Sequence, residues 1–310
     1  MTRGAQHDAV QTTAMGRPVR HKPRPFKNWR RGLRHAARLR IALLANRRIV
    51  LNHQMGKVGS LSVARAIGGL PQTTVFHSHW IPPKTLAAGP RGQPDAVRAL
   101  FRDQDPYGFG PRLWRHVLTP GRPVDVVTLV RDPIARNVSW YFDLLDKFWG
   151  VRDAHRVIDP ARVRAEFFTR FDHDEAIEWM DRQVHDVYGI DVYGRPFDAD
   201  RGWSIIEAPP VRLLILRTEA PDARKAEAIE TFFHAPEGSV SIPSRNVSAA
   251  KPYAGAYDTF RREARLPAGY VERMCSSRFV GHFFTPEEAD AMRRRWSAPE
   301  RPSLASAPER

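Results

Sequence analysis

Cysteine is almost missing from this chain: Cys275 is the single one in 310 residues. That excludes an internal disulfide and every zinc site built on several thiolates. Long apolar runs are missing too. Ile41-Ala42-Leu43-Leu44-Ala45 is far too short to span a bilayer, and the arginines around it do not suit the apolar segment of a secretion signal. No internal repeat is visible, and the ATP/GTP loop signature GxxxxGK[ST] is absent. A cytoplasmic protein with a reduced thiol is the expectation, and the sequons Asn137-Val138-Ser139 and Asn246-Val247-Ser248 are then coincidence.

Acid is scarce at one end only. Residues 1–48 hold 13 of the 49 Lys+Arg but one acid, Asp8, of the 34 Asp+Glu, a local balance of +12 within the net +15, so the rest carries only +3. The basicity belongs to a tail rather than to a surface for nucleic acid, and no nucleic-acid partner is expected. With 42% hydrophobic residues, the remainder can build a substantial core. Three regions are expected: a basic, flexible arm over 1–47, a globular domain over 48–297, and a frayed tail over 298–310. Within the arm, Arg30–Asn46 predicts a basic amphipathic helix around Leu33, Ala37, Ile41 and Leu44. Its options are a solvated arm, or attachment to a polyanion or to an anionic membrane surface, which would make the protein peripheral at the inner face of the membrane.

Past the arm, strand and helix patterns alternate, which predicts an α/β fold: three layers, α/β/α, around a central parallel sheet. Strands are expected at the start of 48–68 and at 73–80, 124–130, 190–193, 203–207 and 211–218. Val124–Val130 is apolar almost throughout, as a strand buried on both faces requires. Helices are expected at 95–102, 112–118, 133–148, 166–171, 174–188, 223–234, 257–263, 268–275 and 285–296, the one after Val130 started by Asp132 as cap and Pro133.

Arg48–Gly68 reads as an apolar strand, a glycine-bracketed turn with one lysine, and a short helix, the plan of a phosphate cradle. A turn that opens a helix aims unpaired N–H groups outward at the positive end of its dipole. Gly56 and Gly59 permit close approach of the backbone, Lys57 adds a mobile charge, Val58 spaces them, and Ser60 and Ser62 supply hydroxyls. In α/β sheets ligands sit beyond the carboxyl ends of the strands, where strand order reverses. Lys57 and Arg131 follow predicted strand ends, His77 stands close to one, and the three can converge there. Ser139, eight residues after Arg131, lies on the next helix, so a guanidinium and a hydroxyl can face one anion. His77 and His79, two apart at a strand end, share one face; each is either a base for a hydroxyl or a strand-end histidine bonded to backbone. His53 is a third candidate for the base, and Glu219 a positioning group.

Lysine before the second glycine, as Gly56-Lys57-Val58-Gly59-Ser60, is similar to the loop K-x-G-[ST] of sulfotransferases that use 3′-phosphoadenosine 5′-phosphosulfate (PAPS). Arg131-Asp132-Pro133 with Arg136, Ser139 and Tyr141 resembles their 3′-phosphate element. Together with Gly189–Tyr193, Leu213–Glu219, Asn246–Tyr253 and Phe283–Thr285, residues 48–297 look like the bacterial capsular polysaccharide synthesis group of sulfotransferase-like P-loop proteins. The resemblance implies a PAPS cofactor held by residues 56–62, Arg131 and Ser139, with Arg245 and Lys251, beside Asn246 and Tyr253, in a lid. It implies Lys57 with His77 or His79 as catalytic residues, a carbohydrate hydroxyl as acceptor, and no metal. Leu61 departs from the pattern, standing where many relatives place Thr or Ser. The rivals are a P-loop nucleotide kinase or other phosphotransferase, and an inactive polyanion- or membrane-binding protein of the same fold.

Overall fold

Every residue from Val124 to Val130 is buried, so the middle of the sheet is covered on both faces. This strand, β3, belongs to a computed structural model that describes residues 25–81, 109–243, 251–263 and 266–297, with the side chains of 25–29 and Arg170 left out. The other strands are β1 (Arg48–His53), β2 (Thr73–Ser78), β4 (Trp203–Ala208) and β5 (Val211–Arg217). The order across the sheet is β2-β1-β3-β5-β4. Leu51 stands opposite both Phe76 and Val126, and Leu129 opposite Leu216, in parallel ladders.

The chain leaves β1 for β2 on one side and returns for β3 on the other. Strand order therefore reverses between β1 and β3, the place where parallel sheets bind ligands. The edge strand β4 runs antiparallel to β5, with Trp203 opposite Leu216. Only Pro209 and Pro210 separate β4 from β5, which leaves room for a hairpin and none for the crossover that a parallel partner needs. The sheet is thus mostly parallel rather than wholly so.

Helix α1 (Pro25–Leu44) precedes the sheet. Helix α2 (Ser60–Gly68) follows β1 and packs on β2. Helix α3 (Phe109–Leu113) continues as a π-helical turn, Trp114–Leu118. Helix α4 (Pro133–Trp149) follows β3, and its Asp132 cap accepts from the N–H groups of Ile134 (2.8 Å) and Ala135 (3.0 Å). After it come α5 (Pro160–Arg170) and α6 (Glu175–Trp179), the latter extended by a π-helical Met180–His185 and by Asp186–Tyr188. Helix α7 (Asp222–Phe233) packs on β4 and β5, and α8 (Ala254–Glu263), α9 (Ala268–Cys275), α10 (Arg278–Phe283) and α11 (Pro286–Trp296) close the domain.

Two expectations change. Ile190–Tyr193 forms no strand: Gly189 ends the preceding helix in the left-handed region, and the Asp191 carboxylate accepts the N–H of Tyr193 at 3.1 Å, a local turn that replaces a ladder. Arg278–Phe283, which carried no helix expectation, is helical because Ser277 caps it and its apolar residues pack inward. The expected helix at 95–102 lies outside the described residues. No described helix is long and apolar enough to cross a membrane.

Candidate functional site

The loop after β1 is held from behind. Three successive carbonyl oxygens accept side-chain donors: Gly56 from Arg136 Nε (3.3 Å), Lys57 from Arg131 Nη1 (2.6 Å), and Val58 from Thr218 Oγ1 (2.9 Å). With the carbonyls tied to β3, β5 and α4, the intervening N–H groups face the other way, and the N–H groups of Lys57, Val58 and Gly59 have no acceptor among the described residues. The first turn of α2 adds its own unpaired N–H groups. Gly59, at φ 76°, is the N-cap of α2, with no side-chain cap; the left-handed turn explains why glycine stands there. Lys57 also has positive φ, 71°, a conformation that costs a non-glycine residue energy and that clusters at ligand sites. A Cβ on Gly56 would meet only Trp140 at 4.0 Å, so packing does not require glycine at that position.

The sequence-predicted residues fall around this loop as follows. Ser60 is buried and its carbonyl is tied to Asn52 Nδ2 at 3.2 Å, so it anchors α2 rather than capping it. Leu61 is 55% exposed, an apolar side chain at the open rim. Val58, Gly59 and Ser62 line a cavity of about 200 Å³ shared with Thr218, Ile242 and Pro243. Arg131 lines a larger one, of about 340 Å³, on the other side of Thr218. Arg261 and Arg295, from the C-terminal helices, line the same cavity, as do the carboxylates of Asp132, Glu219 and Glu288, yet no ion pair joins Arg131, Arg261 or Arg295 to a carboxylate among the described residues. A fourth, Arg217, is neutralised by Glu288. Sequence reasoning missed Arg261 and Arg295 because nothing in their spacing ties them to Arg131, which lies more than a hundred residues earlier.

Ala135, Ser139 and Asp143 succeed one another at four-residue intervals on one face of α4. Ala135 borders the arginine cavity, and Ser139, 5% exposed, comes next. Asp143 gathers the cations at the far end: its Oδ1 lies 3.3 Å from Lys57 Nζ and accepts from Lys251 Nζ (3.1 Å) and Tyr253 Oη (2.8 Å). Lys251 and Tyr253 are thus joined to the loop lysine through a carboxylate that sequence reasoning passed over. Burial pushes the Lys57 ammonium below its ordinary value, against the pull of Asp143. Burial also pushes Asp143 up, but Lys57, Tyr253 and Lys251 together outweigh it and hold the carboxyl below the usual range. Arg245 lies outside the described residues.

His77 and His79 form a directed chain. Asn52 Nδ2 donates to His77 Nδ1 at 3.3 Å, His77 Nε2 lies 3.3 Å from His79 Nε2, and His79 Nδ1 lies 2.8 Å from the Gln54 carbonyl oxygen. Asn52 can only donate and Gln54 can only accept, so two neutral rings fit in a single sense: His77 Nε2–H donates to His79 Nε2, and His79 Nδ1–H donates to Gln54. Burial lowers His77 to about 3, with His79 contributing, and burial lowers His79 as well. Beside them the side-chain amide of Gln54 is enclosed and without a described partner. His53 belongs to the core: Tyr188 Oη is 2.8 Å from its Nδ1, Gln183 Oε1 is 3.0 Å from its Nε2, and burial lowers it to about 3. Glu219 accepts the N–H of Asp132 at 2.9 Å, next to Arg131.

Neutral buried histidines make stability depend on acid. A folded value near 3 against an ordinary 6.5 means that the folded chain binds fewer protons across that window, so stability is full above pH 6.5 and falls as pH drops toward 3. His173, lowered to about 4 by burial, adds to this, and Glu175, raised to about 7 by burial, opposes it over 4.5 to 7. The thermal midpoint is expected to be lower at pH 5.5 than at pH 7.5, and an unchanged midpoint would contradict the enclosed neutral rings.

Among the described residues no group of His, Cys, Asp or Glu is disposed to hold a metal ion. Fold and site thus define an α/β protein whose mostly parallel sheet carries, at its switch point, a loop with outward-facing backbone N–H groups and one lysine. The sequence model of the family described as "Putative capsular polysaccharide synthesis protein" matches residues 160–285, from the first residue of α5 to the cap of α11. The match includes Thr218, Glu219, Lys251 and Arg261, begins after the loop and Arg131, and ends before Arg295. No curated protein and no solved structure matches the chain.

Proposed function

We propose that the protein transfers a sulfuryl group from PAPS to a hydroxyl of a carbohydrate acceptor in the synthesis of a capsular or other surface polysaccharide. One observation carries the reading: two separate cation sets, the loop with Lys57 and Lys251 and the cavity of Arg131, Arg261 and Arg295, lie at the two ends of one face of α4. A ligand with two anionic groups on one nucleoside suits that arrangement, and the name of the matched family supplies the polysaccharide. Asp143 Oδ1, on which both lysines and Tyr253 converge, shows that this donor set accommodates an anionic oxygen.

PAPS supplies the activated sulfuryl group, and its transfer leaves 3′-phosphoadenosine 5′-phosphate. The N–H groups of Val58 to Leu61 and the Lys57 ammonium hold the 5′ end and stabilise the charge that grows on the leaving phosphate. Arg131, with Ser139, Arg261 and Arg295, holds the 3′-phosphate, and bidentate guanidinium contacts favour it over a plain hydroxyl. The cavity of Ser62, Thr218, Ile242 and Pro243 lies beside the loop and takes the nucleoside. A hydroxyl entering between the histidines accepts from His77 Nε2–H and donates to His79 Nε2, which then receives its proton. Neutral imidazoles suit that role, and an anion bound beside them raises their proton affinity toward the working pH.

The kinase alternative needs the lysine after the last glycine and finds it before. A thermal-shift series with 3′-phosphoadenosine 5′-phosphate, ADP and ATP separates the two. The 3′-phosphate compound is expected to stabilise wild type most, with about tenfold weaker binding or more in Arg131→Ala. Equal stabilisation by ADP, or an Arg131→Ala variant that binds as wild type does, sinks the assignment.

A further inference from the structure

Helix α1 is apolar on two sides. One side is spent on the body: Leu39 and Ala42 are buried, His35 packs on Phe109 at 4.6 Å between ring centres, Arg112 donates to the Gly32 carbonyl at 2.9 Å, and Arg38 lies over the Phe76 ring at 5.5 Å. At 100° per residue these buried positions point one way, and Leu33, Ala37, Ile41 and Leu44 fall together on the opposite side within about 80° of arc. Leu33 is 48% exposed, Ile41 60% and Leu44 79%, three of the five exposed large apolar side chains of the described chain. Arg30, Arg34 and Arg40 project from the same outward half of the helix, and residues 25–48 contain no acid.

We infer that this outward face seats the protein on an anionic lipid surface, with the leucine–isoleucine stripe below the headgroups and the arginines among the lipid phosphates. Charge complementarity selects that occupant: a stripe bare of acids and flanked by guanidiniums repels a second copy of itself and attracts an anionic bilayer. A soluble polyanion would use the arginines and leave three large apolar side chains in water, so the stripe favours lipid. The helix lies in the interface and does not cross it, since no described helix has the apolar length to span a bilayer. Because the body already grips the inner side of α1, docking orders nothing new beyond side chains, and the free energy of insertion is not offset by folding a helix. The inference stands without the sulfuryl-transfer reading, because no residue of the site takes part in it.

The test is sedimentation of the full chain with vesicles of phosphatidylglycerol and phosphatidylcholine, against vesicles of phosphatidylcholine alone. Binding to the anionic vesicles is expected, with a loss of about tenfold or more in Ile41→Glu/Leu44→Glu and a comparable loss in Arg34→Glu/Arg40→Glu. All four side chains are exposed, so the thermal midpoints of both variants are expected to match wild type. The proposal is overturned if Ile41→Glu/Leu44→Glu binds anionic vesicles as wild type does, which would assign binding to the charge of the arm alone. It is also overturned if that variant dissolves a dimer seen in wild type by ultracentrifugation, or if heparin but no vesicle retains the protein.

Discussion

Arg136→Ala is expected to lower the stability of the protein by about 3–5 kcal/mol, the cost of leaving one member of a buried ion pair alone. The side chain is wholly enclosed. Its guanidinium lies 3.0 Å from the Glu175 carboxylate, donates to Asn137 Oδ1 at 3.0 Å and to the Gly56 carbonyl at 3.3 Å, and stacks on Trp140 at 3.7 Å. Burial drags the guanidinium down to about 10, so it stays cationic at neutral pH, while burial pushes Glu175 up to about 7 against the pull of Arg136. Without Arg136 the Glu175 carboxyl rises further above its unfolded value. An acid raised on folding favours the folded state while protonated and disfavours it as pH climbs. The deficit of the variant is therefore larger at pH 8.5 than at pH 6, which urea midpoints at the two values can read. Arg136→Met/Glu175→Met removes both charges and is expected to recover most of the loss. Midpoints equal to wild type in the single variant, or no recovery in the double, would show that the pair is not enclosed as described.

Arg136 also shows what a sequence can and cannot disclose. The expected Arg131-Asp132-Pro133 start of a helix was legible because Asp caps and Pro at the first position act locally, and the strand before it because a run of apolar residues needs cover on both faces. The strand, turn and helix around Lys57 were legible for the same reason: glycine, lysine and the helix start lie within a dozen residues. The role of Arg136 was not, because its partner Glu175 is 39 residues away and only packing brings them together. Asp143 was hidden similarly, as an ordinary acid on a helix until Lys57 and Lys251 arrive from two other parts of the chain. The antiparallel β4 turned on the shortness of the Pro209-Pro210 link, a feature visible in the sequence and outweighed by the general alternation of strand and helix. Spacing reveals what one element does by itself, and it is silent on which distant element neutralises or enlarges it.

Lys57→Ala is expected to reduce turnover of PAPS to 3′-phosphoadenosine 5′-phosphate, with a surface polysaccharide as acceptor, by about 100- to 1,000-fold. The ammonium belongs to the loop itself, and losing an interaction that strengthens as the leaving oxygen gains charge lowers the rate more than it lowers binding. Binding of 3′-phosphoadenosine 5′-phosphate should fall less, because the loop N–H groups, Arg131 and Lys251 remain. Asp143 provides the complementary control. Its carboxylate pairs with both lysines, 3.3 Å from Lys57 and 3.1 Å from Lys251, so it competes with any anion that enters. Asp143→Asn keeps the shape, weakens that competition, and is expected to tighten binding of 3′-phosphoadenosine 5′-phosphate by about twofold to fivefold at low salt, the effect shrinking as salt rises. Opposite signs from two residues in contact separate a charge effect from general disruption, since a disrupted loop would weaken binding in both. If Lys57→Ala turns over within about threefold of wild type, charge on the leaving oxygen is not met by this lysine, and the transfer site must be sought away from the loop.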